Sequence, residues 1–178
     1  MAQRPWIAFF SQTGSEIVNI SKALGKEPDL IVTNERPDHL RKINEGIELC
    51  YMMPNKPTLA DYKNILSAYE NPLITLHGWL RIVPEEIANE YEIFNGHPGL
   101  ITLYPELKGK DPQVKAFEAN YKTIGSVIHR VTAGVDEGPV IMERAYQSEK
   151  LLPLDDIFRI LHNISTDLWI KFFKERLW

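Results

Sequence analysis

Short apolar runs alternate with amphipathic stretches over the first 95 residues of the chain. Residues 15–24 and 58–68 carry apolar side chains at three- and four-residue spacing, and Thr58 is suited to cap the second of these helices. This alternation predicts an α/β fold with a mainly parallel central sheet and right-handed crossovers. The apolar runs have the length of buried strands and no helical periodicity. They lie at 6–10, 29–33, 48–52, 72–76 and 92–95.

The pattern changes after residue 95. Residues 96–110 contain several prolines and glycines, which predicts an irregular segment, and a helix is expected over 112–119. Two strands, 124–131 and 139–146, flank a glycine-containing loop and predict a hairpin-like pair. An amphipathic helix is expected over 154–177. No repeat or low-complexity tract separates these elements, which predicts a single domain.

Composition and charge narrow the possible classes of protein. Hydrophobic residues make up 44% of the chain and charged residues 25%, as in soluble globular proteins. A net charge of −4 argues against binding to nucleic acid, which requires a basic surface. No apolar run approaches the roughly 20 residues of a membrane span, and a signal-peptide cleavage pattern is lacking. The single cysteine, Cys50, excludes an internal disulfide framework. We therefore expect a cytoplasmic protein with no membrane or nucleic-acid partner.

The first and fifth predicted strands are followed by polar, glycine-containing segments. In an open α/β sheet, ligands bind at the carboxyl ends of the strands, so these segments are candidate parts of a site. After the first strand, Gly14 and Ser15 precede a helix, where free backbone N–H groups and the helix dipole attract anions. The alternative is a glycine turn in which Ser15 caps the helix.

Asn95 and His97, at the end of the fifth strand, are the candidate catalytic residues. Alternate residues of a strand point the same way, so both side chains can line one pocket. An amide donor can stabilise an oxyanion while a histidine transfers protons near neutral pH, and Asp136 can place a carboxylate beside the imidazole. The alternatives are a structural histidine and a turn aspartate. We assign His129 to the sheet, and no pair of histidines has metal-ligand spacing, so no metal is predicted.

Five short blocks, taken together, resemble the folate-dependent formyltransferases, and most closely the branch that acts on glycinamide ribonucleotide. They occur in the family's order and close to its spacing. The blocks are Ser11–Ser15, Gly78–Pro84, Asn95–Pro98, Gly125–His129 and Val135–Ile141. The resemblance implies a Rossmann-like three-layer formyltransferase fold over residues 1–178. It also implies transfer of a formyl group from the cosubstrate 10-formyltetrahydrofolate to a small-molecule amine, a step of purine biosynthesis, without a metal.

The resemblance also implies a role for each matching residue. Asn95 would polarise the formyl oxygen, His97 would transfer protons as the amine attacks, and Asp136 would orient His97 and a water molecule. The loop 132–138 would close over the folate pocket. The residues that would line this pocket are Leu80, Arg81, Ile82, Val83 and Val135. The residues that would bind the acceptor are Thr13, Gly14 and Ser15.

Two departures from the family pattern bear on the acceptor. Gly99 follows His97 and Pro98, where the family usually has a Ser-Leu-Leu-Pro run. Glu16 stands where the ribonucleotide branch has an asparagine in its phosphate loop, and a carboxylate there would repel a phosphate unless Lys108 or Lys110 compensates.

The alternatives within the fold are transfer to an amino sugar nucleotide or another amine, and a non-catalytic folate-binding module. A methionyl-tRNA formyltransferase and a formyltetrahydrofolate hydrolase are disfavoured, because each usually carries a further domain. The oligomeric state is left open.

Overall fold

The computed structural model describes residues 3–34 and 50–176, which form a sheet flanked by helices. The strands are β1 (Trp6–Phe10), β2 (Leu30–Thr33), β3 (Cys50–Met52), β4 (Leu73–Leu76), β5 (Ile93–His97), β6 (Thr123–Arg130) and β7 (Val140–Gln147). The helices are α1 (Ser15–Leu24), α2 (Leu59–Leu66), α3 (Glu85–Glu90), α4 (Pro112–Glu118) and α5 (Leu154–Arg176), with a 3₁₀ turn at Pro105–Leu107.

The seven strands form one sheet in the order β3-β2-β1-β4-β5-β6-β7. Strands β3, β2, β1, β4 and β5 pair in parallel, and β6 and β7 add antiparallel strands at one edge. The strand order reverses between β1 and β4, which is where ligands bind in sheets of this kind. The predicted α/β fold with a mainly parallel sheet is confirmed, as is the hairpin-like pairing of the two late strands.

Strand β1 shows why the molecule has three layers. All five of its residues are buried, and alternate side chains enter different cores. Trp6, Ala8 and Phe10 pack on the face covered by α1 and α5. Ile7 and Phe9 pack on the opposite face, against α2 and α3. A central parallel strand that is buried on both sides has an unbroken run of apolar residues in its sequence, as β1 has.

The elements of the structure differ from the sequence predictions chiefly in two places. Helix α1 spans the predicted residues, and Thr58 caps α2 in a reciprocal capping box with Asp61. Helix α3, of six residues, was not predicted because it is too short to show a periodic pattern. The predicted irregular segment contains the end of β5 and the 3₁₀ turn. Residues 48, 49 and 177 of predicted elements lie outside the described residues.

The register around β5 decides which side chains meet at the switch point. Leu76, the last residue of β4, pairs with Asn95, and Asn95 pairs on its other side with His129 of β6. Because β6 is antiparallel to β5, it ends at Arg130, level with Phe94. The loop from β6 to β7 must therefore fold back over the sheet to reach the end of β5.

Among the helices of residues 3–34 and 50–176, none has the length and apolar character needed to cross a membrane.

Candidate active site

Asn95 and His97 lie on the sheet face that carries α2 and α3. Phe94 packs in the opposite core, so the strand alternation turns Asn95 and His97 away from it. Gly96, between them, has its Cα against the indole of Trp169 from α5. His97 is 4% exposed, and Asn95 is half-buried. The strand thus presents an amide and an imidazole side by side at its carboxyl end.

Asp136 reaches this pair from the loop between β6 and β7. Its backbone has a φ of 52°, in the left-handed region that non-glycine residues seldom adopt. Its Oδ2 lies 3.3 Å from Nδ1 of His97, and its Oδ1 accepts a hydrogen bond of 3.3 Å from Nδ2 of Asn95. The structure therefore brings together the three candidate catalytic side chains. An uncommon backbone conformation held in place by such contacts is frequent at functional sites.

His129 is a fourth member of the group, and the sequence analysis assigned it only to the sheet. It does lie in β6, but its Nε2 is 3.1 Å from Oδ1 of Asp136 and 3.1 Å from Nδ2 of Asn95. Its Nδ1–H donates to the carbonyl of Arg130 at 3.0 Å. A carboxylate only accepts hydrogen bonds, so Nε2 can bond to it only when Nε2 carries a proton in addition to the one on Nδ1. The cross-strand pairing with Asn95 was the missing information, since local sequence does not give the register between strands.

The hydrogen bonds of His97 define its neutral tautomer. A carbonyl oxygen only accepts, so the 2.8 Å contact with the Leu107 carbonyl requires a proton on Nε2. The lone pair of the neutral ring is then on Nδ1, which faces Asp136. Burial lowers the pKa of His97, and the charges of His129 and Lys115 act in the same direction, against the opposing effect of Asp136 and the Leu107 carbonyl. His97 is suited to accept a proton at neutral pH.

Asp136 remains a carboxylate in spite of its burial. Burial by itself would raise the pKa of Asp136, but the hydrogen bond from His129 and the charge of His97 outweigh it, and the pKa lies below its ordinary value. The backbone N–H of Gly109 also donates to Oδ2 at 2.8 Å. The site thus pairs a stable anion with a histidine that is readily neutral, an arrangement suited to general acid–base catalysis.

A cavity of about 630 Å³ opens beside these residues. Its volume is within the range usual for small-molecule sites, about 300–1,000 Å³. The exposed fractions of Leu80 and Ile82 are 58% and 75%, which gives the cavity an apolar rim. Arg81 turns its guanidinium to the backbone carbonyl and side-chain oxygen of Asn55. The lining includes all eight residues expected to be catalytic or folate-binding: Leu80, Arg81, Ile82, Val83, Asn95, His97, Val135 and Asp136.

The predicted acceptor loop lies outside this lining. Thr13, Gly14 and Ser15 stand at the start of α1, where the hydroxyl of Thr13 contacts both the backbone N–H and the hydroxyl of Ser15. Gly14 has a φ of 66° and provides no side chain to cap the helix. Gln12, which the sequence analysis passed over, does line the cavity, and its Oε1 lies 3.6 Å from the position a Cβ on Gly78 would take. The acceptor loop is therefore adjacent to the cavity through Gln12.

Glu16, whose charge the sequence analysis expected to oppose a phosphate, is hydrogen-bonded to a buried histidine. Its Oε1 accepts a 2.8 Å hydrogen bond from Nδ1 of His77, whose side chain is 1% exposed. Burial would raise the pKa of Glu16, but the hydrogen bond and charge of His77 lead the effects that lower it. Of the two lysines considered as compensating cations, Lys110 lines the cavity, whereas Lys108 makes hydrogen bonds through its backbone N–H and carbonyl. Sequence spacing does not reveal this contact, because the two residues are 61 positions apart.

The geometry defines a class of fold and site: a doubly wound α/β protein with an amide, an imidazole and a carboxylate at its switch point. An amide donor can polarise a carbonyl oxygen, and a neutral imidazole beside a carboxylate can transfer the proton of an attacking nucleophile. Among residues 3–34 and 50–176, no group of three or more histidine, cysteine, aspartate or glutamate side chains is arranged to hold a metal ion.

The chain belongs to the formyl transferase family, whose model matches residues 7–158. It is 32% identical over 101 residues to phosphoribosylglycinamide formyltransferase of Bacillus subtilis, a match that covers 56% of this chain and 50% of that protein. It is 29% identical over 96 residues to formyltetrahydrofolate deformylase of Synechocystis sp., covering 53% of this chain and 33% of that protein. These alignments span half or less of the relatives' length.

Solved structures share the fold over nearly the whole chain. The phosphoribosylglycinamide formyltransferase of Anaplasma phagocytophilum superposes with a TM-score of 0.84 at 22% identity, covering 97% of this chain and 86% of that one. At this identity the likeness establishes the fold. The predicted Rossmann-like formyltransferase fold is thereby confirmed.

Proposed function

We propose that this protein transfers the formyl group of 10-formyltetrahydrofolate to a primary amine, and that the amine is that of glycinamide ribonucleotide. The observation that carries the proposal is the convergence of Asn95, His97 and Asp136 beside a cavity with an apolar rim. Under the proposal, the pterin of the folate occupies the cavity part lined by residues 80–83, and the described residues act as one single domain.

Each catalytic side chain then has a definite task. Nδ2 of Asn95 lies within hydrogen-bond distance of both Asp136 and His129, and when the folate binds one of its N–H groups would donate to the formyl oxygen instead. The amine nitrogen forms a bond to the formyl carbon, and Nδ1 of His97 takes the proton that the nitrogen loses. The tetrahedral intermediate collapses when the bond from the formyl carbon to N10 of the folate breaks. His97 then gives up the proton it took, and N10 receives it, which completes the transfer. Asp136 stabilises the charged imidazole between these steps.

The choice of acceptor rests on two further observations. The names of the Bacillus subtilis and Anaplasma phagocytophilum relatives specify phosphoribosylglycinamide. The contact between Glu16 and His77 also bears on the expected repulsion, because a hydrogen bond from a buried imidazole disperses part of the charge of the carboxylate. The loop Thr13–Ser15 then offers its backbone N–H groups at the start of α1.

Hydrolysis of the formyl-folate is the second candidate function, because a relative from Synechocystis is a formyltetrahydrofolate deformylase. Both reactions use a polarised formyl group and a base, and they differ in whether an amine or water attacks. Consumption of 10-formyltetrahydrofolate should be followed spectroscopically with no amine, with glycinamide ribonucleotide, and with a panel that includes amino sugar nucleotides.

Consumption that depends on glycinamide ribonucleotide supports the proposal. Equal consumption without any amine, with release of formate, would establish the hydrolase instead. Transfer to a different amine in the panel would retain the reaction type and reject the acceptor. A protein that binds the folate and consumes none would be the non-catalytic module.

A further inference from the structure

The backbone of residues 107–109 contacts both His97 and Asp136. The carbonyl of Leu107 accepts the 2.8 Å hydrogen bond from Nε2–H of His97. Two residues later, the N–H of Gly109 donates the 2.8 Å hydrogen bond to Oδ2 of Asp136. A displacement of this short segment would therefore change the orientation of the imidazole and the carboxylate at once. We call residues 107–109 the backbone bracket.

Lys115, on α4, is hydrogen-bonded to the bracket from outside the catalytic group. Its Nζ donates to the carbonyl of Lys108 at 3.0 Å and to the carbonyl of Glu106 at 3.3 Å. These two carbonyls flank Leu107, so a single ammonium group holds the peptide units on both sides of the carbonyl that orients His97. Lys115 is half-buried, and α4 is anchored beside it by buried Pro112 and Ala116.

The local structure gives the bracket limited rigidity of its own. The 3₁₀ turn comprises three residues, and Gly109 follows it with a φ of 82°, a conformation that glycine adopts without strain. On the outer side, Tyr121 bonds to Glu106 and stacks on Tyr104 with ring centroids 3.8 Å apart. These contacts hold the exposed side of the segment, whereas Lys115 holds the side next to the site.

We propose that Lys115 is a positioning residue for the reaction: its ammonium group fixes the backbone bracket, and the bracket in turn orients His97 and Asp136. The inference rests on the proposed function, because it assumes that His97 transfers protons. Lys115 itself touches neither the proposed substrates nor the reacting atoms. Its charge has a second effect, since the titratable and charged groups that face His97 are Asp136, His129 and Lys115. Of these, Lys115 and His129 disfavour protonation of His97, and Asp136 favours it.

Three variants separate geometry from general stability. Lys115→Met keeps the unbranched side chain, one atom shorter, but removes the charge and the N–H donors. Lys115→Arg keeps both and serves as the conservative variant. Lys122→Met is the matched control, because Nζ of Lys122 also donates to a backbone carbonyl, that of Glu149 at 3.3 Å, away from the cavity.

We expect Lys115→Met to lower kcat by about 10- to 100-fold, the effect of small misplacements in an active site, with KM for the folate changed less than about threefold. Lys115→Arg should keep most of the activity, and Lys122→Met should match the wild type. In the methionine variant, loss of the nearby charge raises the pKa of His97 and loss of the Leu107 hydrogen bond lowers it, so the acidic limb of the pH profile moves to higher pH where the charge effect is the larger and to lower pH where the lost hydrogen bond is. In Lys115→Arg the limb should stay in place.

The titration of His97, followed by NMR of the imidazole nitrogens, gives a readout that needs no activity. If the wild type transfers no formyl group but Lys115→Met still releases Nε2–H of His97 from its hydrogen bond to the Leu107 carbonyl, the proposed function fails while the positioning role stands. A methionine variant with wild-type kcat and an unmoved His97 titration would overturn the inference. A methionine variant that is only less stable, with normal kcat per folded molecule, would also overturn the inference. If Lys115→Met does not fold, Lys115→Gln provides the same test.

Discussion

Gly96 and Trp169 approach so closely that a side chain at residue 96 has no room. A Cβ placed on Gly96 would lie 2.6 Å from Nε1 of Trp169 and 3.1 Å from its Cε2. Trp169 is fully buried in α5, and its Nε1 has no hydrogen-bond partner in the described part of the chain. The indole also lies 4.6 Å from the ring of His77, so it cannot easily move aside. The long helix thus supports the strand that carries Asn95 and His97.

Gly96→Ala should therefore reduce both stability and turnover. Overpacking a buried site typically lowers the free energy of unfolding by about 1–3 kcal/mol, and the shifted strand would misplace both catalytic side chains. Chemical denaturation and steady-state kinetics check the two effects. Trp169→Phe removes the atom that clashes most, so the double variant should be more stable than the sum of the single changes allows. Strict additivity would show that the contact with Trp169 is not the cause.

Replacement of His97 by alanine tests the proton-transfer role directly. His97→Ala should reduce kcat by roughly 100- to 10,000-fold, the usual contribution of a general acid–base, while the affinity for the folate changes little. Stopped assays for turnover and isothermal titration for folate binding measure the two quantities. His162→Ala, an exposed histidine on α5, is the matched control and should be near normal. Near-normal turnover in a folded His97→Ala protein would make His97 structural.

The lowered pKa of Asp136 predicts how stability depends on pH. A carboxyl group whose folded-state pKa is below its unfolded value adds stability at pH values above the unfolded pKa, and this is lost as the pH falls through the folded pKa. For Asp136 the ordinary value is 3.8, and the folded value lies below it. Asp136→Asn should thus lose stability relative to the wild type at pH 7. That difference should shrink as the pH falls below about 4. Unfolding curves over pH 2–7 provide the measurement, and a constant difference would contradict the prediction.

The pair Glu16 and His77 predicts an effect on the acceptor. Glu16→Gln keeps an oxygen that can accept from Nδ1 of His77 but removes the negative charge near the loop Thr13–Ser15. We expect KM for glycinamide ribonucleotide to fall by less than about tenfold, because the wild-type charge is already partly compensated, with kcat nearly unchanged.

His77→Leu should do the opposite and raise this KM, since it leaves the Glu16 carboxylate without its buried donor. It should also lower the free energy of unfolding by about 1–3 kcal/mol, the cost of an unsatisfied buried polar group. The combination Glu16→Gln with His77→Leu is the control, and it should recover the affinity for the acceptor. Variants that affect a dephosphorylated acceptor equally would show that the pair has no role in phosphate binding.

Local periodicity was sufficient to predict most of the fold. The apolar runs marked β1, β2, β4 and β5, and the spacing in residues 15–24 marked α1, because burial on one face or both leaves a regular signature in the chain. The same local geometry explains why Asn95 and His97 could be paired in advance. They are two residues apart in a strand, and a strand turns alternate side chains to the same face.

Contacts between distant segments required the tertiary structure. The register of β5 against β6 sets His129 opposite Asn95, and no local pattern specifies a register between two strands. The hydrogen bond from His97 to the Leu107 carbonyl depends on the path of a loop, which packing determines. It could not be predicted, because every residue has a backbone carbonyl and the sequence does not mark which one is used. Glu16 found His77 across α1 and β4 because a buried carboxylate is stable only with a partner. Residue types and their spacing thus pointed to the reaction, while long-range packing selected the partners that tune it.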